Sequence, residues 1–156
     1  MTKRWWVLGP VMVMLILGVG AAVAVTRART TVQVPAPATW ETQTDAVARA
    51  LASGDLSAAI YSWRNAYGEA LRSRRWEALI AVGDAAMQID RASRDGQSFR
   101  PEARRVYLEA LFRARAAGAI VGIQHIARAF AELGDTEMSA RASEMAQTLT
   151  VRQAER

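Results

Sequence analysis

Between Arg4 and Arg27 the chain carries no charge, and the run Trp5–Val25 is apolar throughout. A helix rises about 1.5 Å per residue, so this run matches the roughly 30 Å hydrocarbon core of a bilayer. That feature divides the chain. Residues 1–26 read as a transmembrane anchor with a basic flank, 27–40 as a Pro-containing linker, 41–151 as a helical domain and 152–156 as a frayed tail. A secretory signal is the competing reading of the first segment, with Lys3 and Arg4 as its positive start and Ala22-Val23-Ala24 as its cleavage site. The apolar run is longer than a signal core, which favours an uncleaved span.

Within the span, Pro10 sits in the first third, where membrane helices tolerate it. Trp5 and Trp6 suit the aromatic belt at a membrane interface. Gly18 with Ala22, and Gly20 with Ala24, form two small-xxx-small pairs, the pattern that lets a second helix approach closely. Lys3 and Arg4 on a very short N-terminal tail favour a cytoplasmic N-terminus, against the opposing pull of Arg27 and Arg29. The expected location is a bacterial inner (plasma) membrane, single-pass, with the domain on the extracytoplasmic, periplasmic side. The bacterial source is read from composition, since one lysine accompanies nineteen arginines, as in a GC-rich genome.

Charge confines the functional classes. The sequence pI is near 10.6, which by itself suggests nucleic acid. Yet four of the twenty basic residues flank the anchor, and no acid precedes Glu41, so sixteen basic residues face fifteen acidic ones in the rest of the chain. The basic excess belongs to the membrane flanks, and no nucleic-acid partner is expected. There are no cysteines, which removes disulfides, thiolate metal sites and thiol catalysis.

After the linker, with Pro35 and Pro37 favouring extended backbone, apolar residues recur at helical spacing and no stretch alternates as a strand does. The pattern predicts an all-α domain of about six antiparallel helices. The first covers Thr42 to Ala52 and stops at Ser53-Gly54; Asp55 caps the second, whose inner face is Leu56, Ala59, Ile60, Trp63, Ala66, Tyr67, Ala70 and Leu71. The third runs from Arg75 to Arg91 with Trp76, Leu79, Ile80, Gly83, Ala86, Met87 and Asp90 on one stripe. Gly83 weakens that helix, so a neighbouring helix is expected to approach closely there. A polar loop leads to Pro101 at the first position of a fourth helix with Ala103, Val106, Tyr107, Ala110, Leu111 and Ala114 inward. Gly118 and Gly134 bound the fifth, with Ile120, Ile123, Ala127 and Phe130 inside. Asp135 or Thr136 caps the sixth, which buries Met138, Ala142, Met145 and Leu149. Alanine-rich faces with dispersed aromatics fit stacked helical hairpins.

Gly54-Asp55 followed by Ala59, Trp63 and Ala66 resembles the second half of a tetratricopeptide repeat, in which small residues mark the helix contact and the aromatic fills the space between. The likeness covers one repeat. Gln43, Ala46 and Val47 stand where the family carries a large aromatic and a Leu-Gly pair, Leu71 stands at its closing proline, and the next such turn, Gly134-Asp135, falls outside the 34-residue period. The resemblance implies a TPR-like bundle or solenoid acting as a binding scaffold and assigns no ligand residues.

No catalytic, cofactor or metal site is expected. His125 is the only histidine, and its nearest acid in sequence is Glu132. Glu77 and Asp84 share a helix face, with a solvated surface and arginine partners as their expected setting. Arg72, Arg74, Arg75, Arg100, Arg104, Arg105, Arg113 and Arg115 are interleaved with Glu69, Glu77, Glu102 and Glu109, and Arg105–Glu109 has i,i+4 spacing. A mixed-charge surface follows. The leading expectation is a membrane-anchored helical-repeat scaffold that binds a protein partner and is not an enzyme. The alternative is an accessory structural subunit of a larger membrane complex (respiratory, photosynthetic or secretion), with the transmembrane helix as a contact.

Overall fold

The structure, a computed structural model, describes residues 39–93 and 98–155. The anchor expected at Trp5–Val25, with Gly18, Gly20, Ala22 and Ala24, and the linker before Thr39 lie outside the described residues. Among those that are described, no helix is long and apolar enough to cross a membrane.

Every described element is an α-helix: α1 (Trp40–Ala52), α2 (Leu56–Ser73), α3 (Trp76–Ala92), α4 (Arg100–Ala116), α5 (Ile120–Glu132) and α6 (Thr136–Ala154). Each helix packs on its successor, the tightest pairs being α1 with α2, α3 with α4, and α5 with α6. These are three hairpins. Their first helices also touch in a row, α1 against α3 and α3 against α5.

The hairpin turns are built from local chemistry. Gly54 and Gly134 take φ of +76° and +75°, where a side chain would be strained. The amide of the next residue then bonds back to the helix it leaves, Asp55 N to Ala50 O and Asp135 N to Phe130 O, each at 2.9 Å. That aspartate caps the following helix, Asp55 accepting from the Ala58 amide at 2.9 Å and Asp135 from the Met138 amide at 3.2 Å. Asp135, not Thr136, is the cap of α6.

Other boundaries differ from the sequence expectation for physical reasons. Helix α1 begins two residues early because the Thr39 hydroxyl accepts from the Thr42 amide, and Trp40 packs on the domain core. Arg75 is the N-cap of α3, not its first residue. Pro101 is the second residue of α4, after Arg100, where its missing amide is still no loss. Asp90 leaves the inner stripe and holds the start of α4, accepting from the Phe99 amide at 2.7 Å and the Ser98 hydroxyl at 3.1 Å. Helix α6 stays regular through Arg152 to Ala154.

The core is alanine-rich, as expected, with Trp63, Leu79, Ile89, Tyr107, Ile123, Ile126 and Phe130 as its large members. Two glycines admit aromatic rings. A Cβ on Gly83 would lie 2.5 Å from Tyr107 Cε1, and one on Gly122 would lie 2.6 Å from Trp76 Cζ3. The close approach expected at Gly83 is therefore the Tyr107 ring from α4. Trp63 ties the first hairpin to the second, its indole N–H donating to Val82 O at 2.9 Å while the ring packs edge-on to Phe99 at 4.8 Å.

The second helix of each hairpin carries one stripe at the same offsets from its start. In α2 it is Ala59, Trp63, Ala66, Tyr67 and Ala70; in α4, Ala103, Tyr107, Ala110, Leu111 and Ala114; in α6, Ser139, Ser143, Ala146, Gln147 and Thr150. The first two stripes are buried or nearly so. The third lines an open groove.

Candidate functional site

The residues singled out in the sequence as repeat packing, Ala59, Trp63 and Ala66, are buried structural groups, with Gly54 exposed at its turn. The polar feature that the fold assembles lies elsewhere, where α3, α4 and α5 converge. Gly83 lets the Tyr107 ring lie against α3. Tyr107 is 1% exposed, and its hydroxyl donates to Asp84 Oδ1 at 2.6 Å. His125 of α5 brings Nε2 to 3.1 Å from the same oxygen. A carboxylate oxygen only accepts, so the Nε2–H tautomer makes this contact. Burial pushes the Tyr107 hydroxyl far above its ordinary pKa, and the Asp84 carboxylate beside it adds to the effect. The phenol therefore stays a donor throughout the range in which proteins are folded.

This arrangement corrects two expectations. Asp84 has a tyrosine and a histidine as partners, not an arginine. His125 has an acid after all, 41 residues away in sequence. Glu77, the other acid of that face, pairs with Arg75 at 3.5 Å. A signal was present in the sequence: a glycine inside a helix, next to an aspartate, with a tyrosine on the stripe of the following helix.

Asp84, Tyr107 and His125 line a cleft of about 260 Å³. Gln88 and Arg91 of α3 and Arg128 and Glu132 of α5 line it as well. Arg91 bonds Glu132 across it at 2.8 Å. Arg128 has no ion pair among the described residues and also borders the larger groove of about 700 Å³ between α5 and α6. That groove is lined mainly by Ser139, Ser143, Ala127, Ala131, Ala146 and Gln147.

Of the arginines on the other faces, Arg72, Arg75, Arg100, Arg104, Arg113 and Arg141 have carboxylate partners among the described residues. Arg72 bonds Glu69, Arg104 bonds Asp135 at 2.7 Å, and Arg113 bonds Glu109 at 2.6 Å. Glu109 takes Arg113 in place of the expected Arg105, because Arg105 lies over the Tyr67 ring, 5.5 Å from its centroid. The Tyr67 hydroxyl donates to Glu109 Oε2 at 3.3 Å, and burial followed by the Glu109 charge raises its pKa.

Chemically the cleft offers two carboxylates, Asp84 and Glu132, an imidazole, a phenol and two guanidinium groups. None of its lining residues is a serine, threonine or cysteine. Among the described residues no cluster of His, Cys, Asp and Glu could hold a metal. No family model matches the chain, and no curated protein or solved structure matches it either.

Proposed function

We propose that this chain is a membrane-anchored scaffold of degenerate tetratricopeptide-like hairpins that binds a protein partner. The observation that carries the reading is the repeated stripe. Three second helices place five residues at common offsets, and the first helices lie in a row. Stacked repeats of this kind present extended surfaces for binding, and their terminal repeats carry a polar outer face. The stripe of α6, with serine where α2 and α4 carry Trp63 and Tyr107, fits such an end. The recognition surface in this reading is the polar cleft between α3 and α5, where three helices bring charged and polar side chains together.

The starts of α1, α3 and α5 at Trp40, Trp76 and Ile120 give intervals of 36 and 44 residues. The longer α3, with 17 residues against 13 in α1, and the longer connection from it to α4 widen the second interval. Anchoring is inferred from the Trp5–Val25 run, with the domain on the periplasmic side of a bacterial inner membrane. A cross-linking pull-down of the full chain from membranes tests the function. A specific protein partner is expected, and recovery of none sinks the reading.

The small residues Gly18, Gly20, Ala22 and Ala24 favour a second reading, an accessory subunit whose transmembrane helix is itself a contact. Gentle detergent extraction separates the two, since a stoichiometric subunit migrates at the size of its complex and an adaptor does not. A reporter fused after Arg156 gives the side of the membrane.

A further inference from the structure

We infer that the cleft between α3 and α5 takes one cationic side chain, an arginine or lysine of the partner, and that Asp84 binds it. The inference rests on the partner-binding reading above. Two helices other than its own fix this carboxylate. Tyr107 of α4 donates to Oδ1 from a buried position, and His125 of α5 contacts the same oxygen. Oδ2 accepts no hydrogen bond and has no ion-pair partner among the described residues, while the Asp84 side chain is 38% exposed. An anion held in place in this way has lost its orientational freedom before a ligand arrives, and a charge-assisted hydrogen bond is among the stronger polar contacts.

The other charges of the cleft define the ligand further. Arg91 and Glu132 satisfy one another at 2.8 Å. Among the described residues Asp84 has no arginine or lysine partner, and Arg128, which also lines the cleft, has no carboxylate partner. A single cation fits at Asp84. A volume of about 260 Å³ is at or below the lower end of small-molecule pockets and suits one long side chain.

The test uses the full chain in lipid nanodiscs and three capped peptides, acetyl-Ala-Ala-X-Ala-Ala-amide with X as Arg, Gln or Glu, with binding followed by thermophoresis. The Arg peptide is expected to bind and the Gln and Glu peptides not to. Asp84→Asn keeps an acceptor for Tyr107 and is expected to weaken the Arg peptide about tenfold or more, the loss of a hydrogen bond to a charged group. Gln88→Arg, one turn along α3, puts a cation into the cleft without touching the Tyr107 and His125 contacts, and is expected to abolish binding even where Asp84→Asn lowers the melting temperature. Arg128→Ala is expected to retain or strengthen it. Affinity unchanged in Asp84→Asn, Glu-peptide binding that vanishes in Arg128→Ala, or no binding by any peptide would each overturn the inference. If a partner is cross-linked from membranes while the peptides fail, the scaffold reading survives and the assignment of Asp84 does not.

Discussion

Helices α4 and α6 occupy the same place in successive hairpins and treat the same stripe in opposite ways. In α4 the stripe is Ala103, Tyr107, Ala110, Leu111 and Ala114, all buried. In α6 it is Ser139, Ser143, Ala146, Gln147 and Thr150, which line a groove, with Ala146 buried, the serines half-buried and Gln147 and Thr150 exposed. The offsets along the helix are common to both; the side chains at them differ. The difference is one of side chains: the α4 stripe is apolar and covered, while the α6 stripe is mostly polar and lines a groove.

The contrast is most directly broken by truncating the two equivalent residues. Tyr107→Ala removes a fully buried ring and is expected to cost about 3–5 kcal/mol. Ser143→Ala is expected to stay within about 0.5 kcal/mol of the parent. Denaturant unfolding measures both, and equal losses would erase the distinction between the middle and the end of the stack.

Glycine substitutions sharpen it. Gly83→Ala forces a methyl group to within 2.5 Å of the Tyr107 ring, an overpacking expected to cost about 1–3 kcal/mol, partly offset by the roughly 1 kcal/mol gain in helix propensity. Gly68→Ala meets only the tip of Arg72, 3.8 Å away, and is expected to raise stability by up to about 1 kcal/mol. Thermal melts of the pair should move in opposite directions. Next in size is Tyr107→Phe, which keeps the ring and removes the bond to Asp84, for an expected loss of about 1 kcal/mol.

The smallest effect is a pH dependence at the cap of α6. The Met138 amide lowers the Asp135 pKa, with Arg104 assisting and partial desolvation opposing. A depressed carboxylate stabilises the fold above its unfolded-state pKa, and that contribution is lost as pH falls through the lower folded value. Asp135→Asn retains a good capping residue and is expected to flatten this part of the acid limb. Melting temperatures of the two proteins followed downward from pH 5 check it, and parallel curves would contradict it.

Much of the helical architecture was legible because its cause is local. Apolar residues at helical spacing, glycines at positions 54, 118 and 134, and caps at Asp55 and Asp135 mark helices from their own neighbours. The start of α1 was missed because Trp40 follows a Pro-containing stretch and reads as linker. The cleft was not legible as a whole. Asp84 meets Tyr107 across 23 residues and His125 across 41, and no periodic pattern within one helix encodes which face of its neighbour it will meet. The common offsets of the three second helices were not legible for a related reason. The offsets are kept within α2, α4 and α6, while unequal helices and connections vary the distance between them.

The central claim is that the α3–α5 cleft, and not the end groove on α6, meets the partner. A photo-crosslinking residue placed at Gln88 or at Gln147 of the full chain in native membranes tests it. Both positions are exposed, one lining the cleft and the other the groove. The account predicts a discrete cross-linked protein from position 88 that is lost on Asp84→Asn, and none from position 147. Cross-linking from position 147 alone would contradict it.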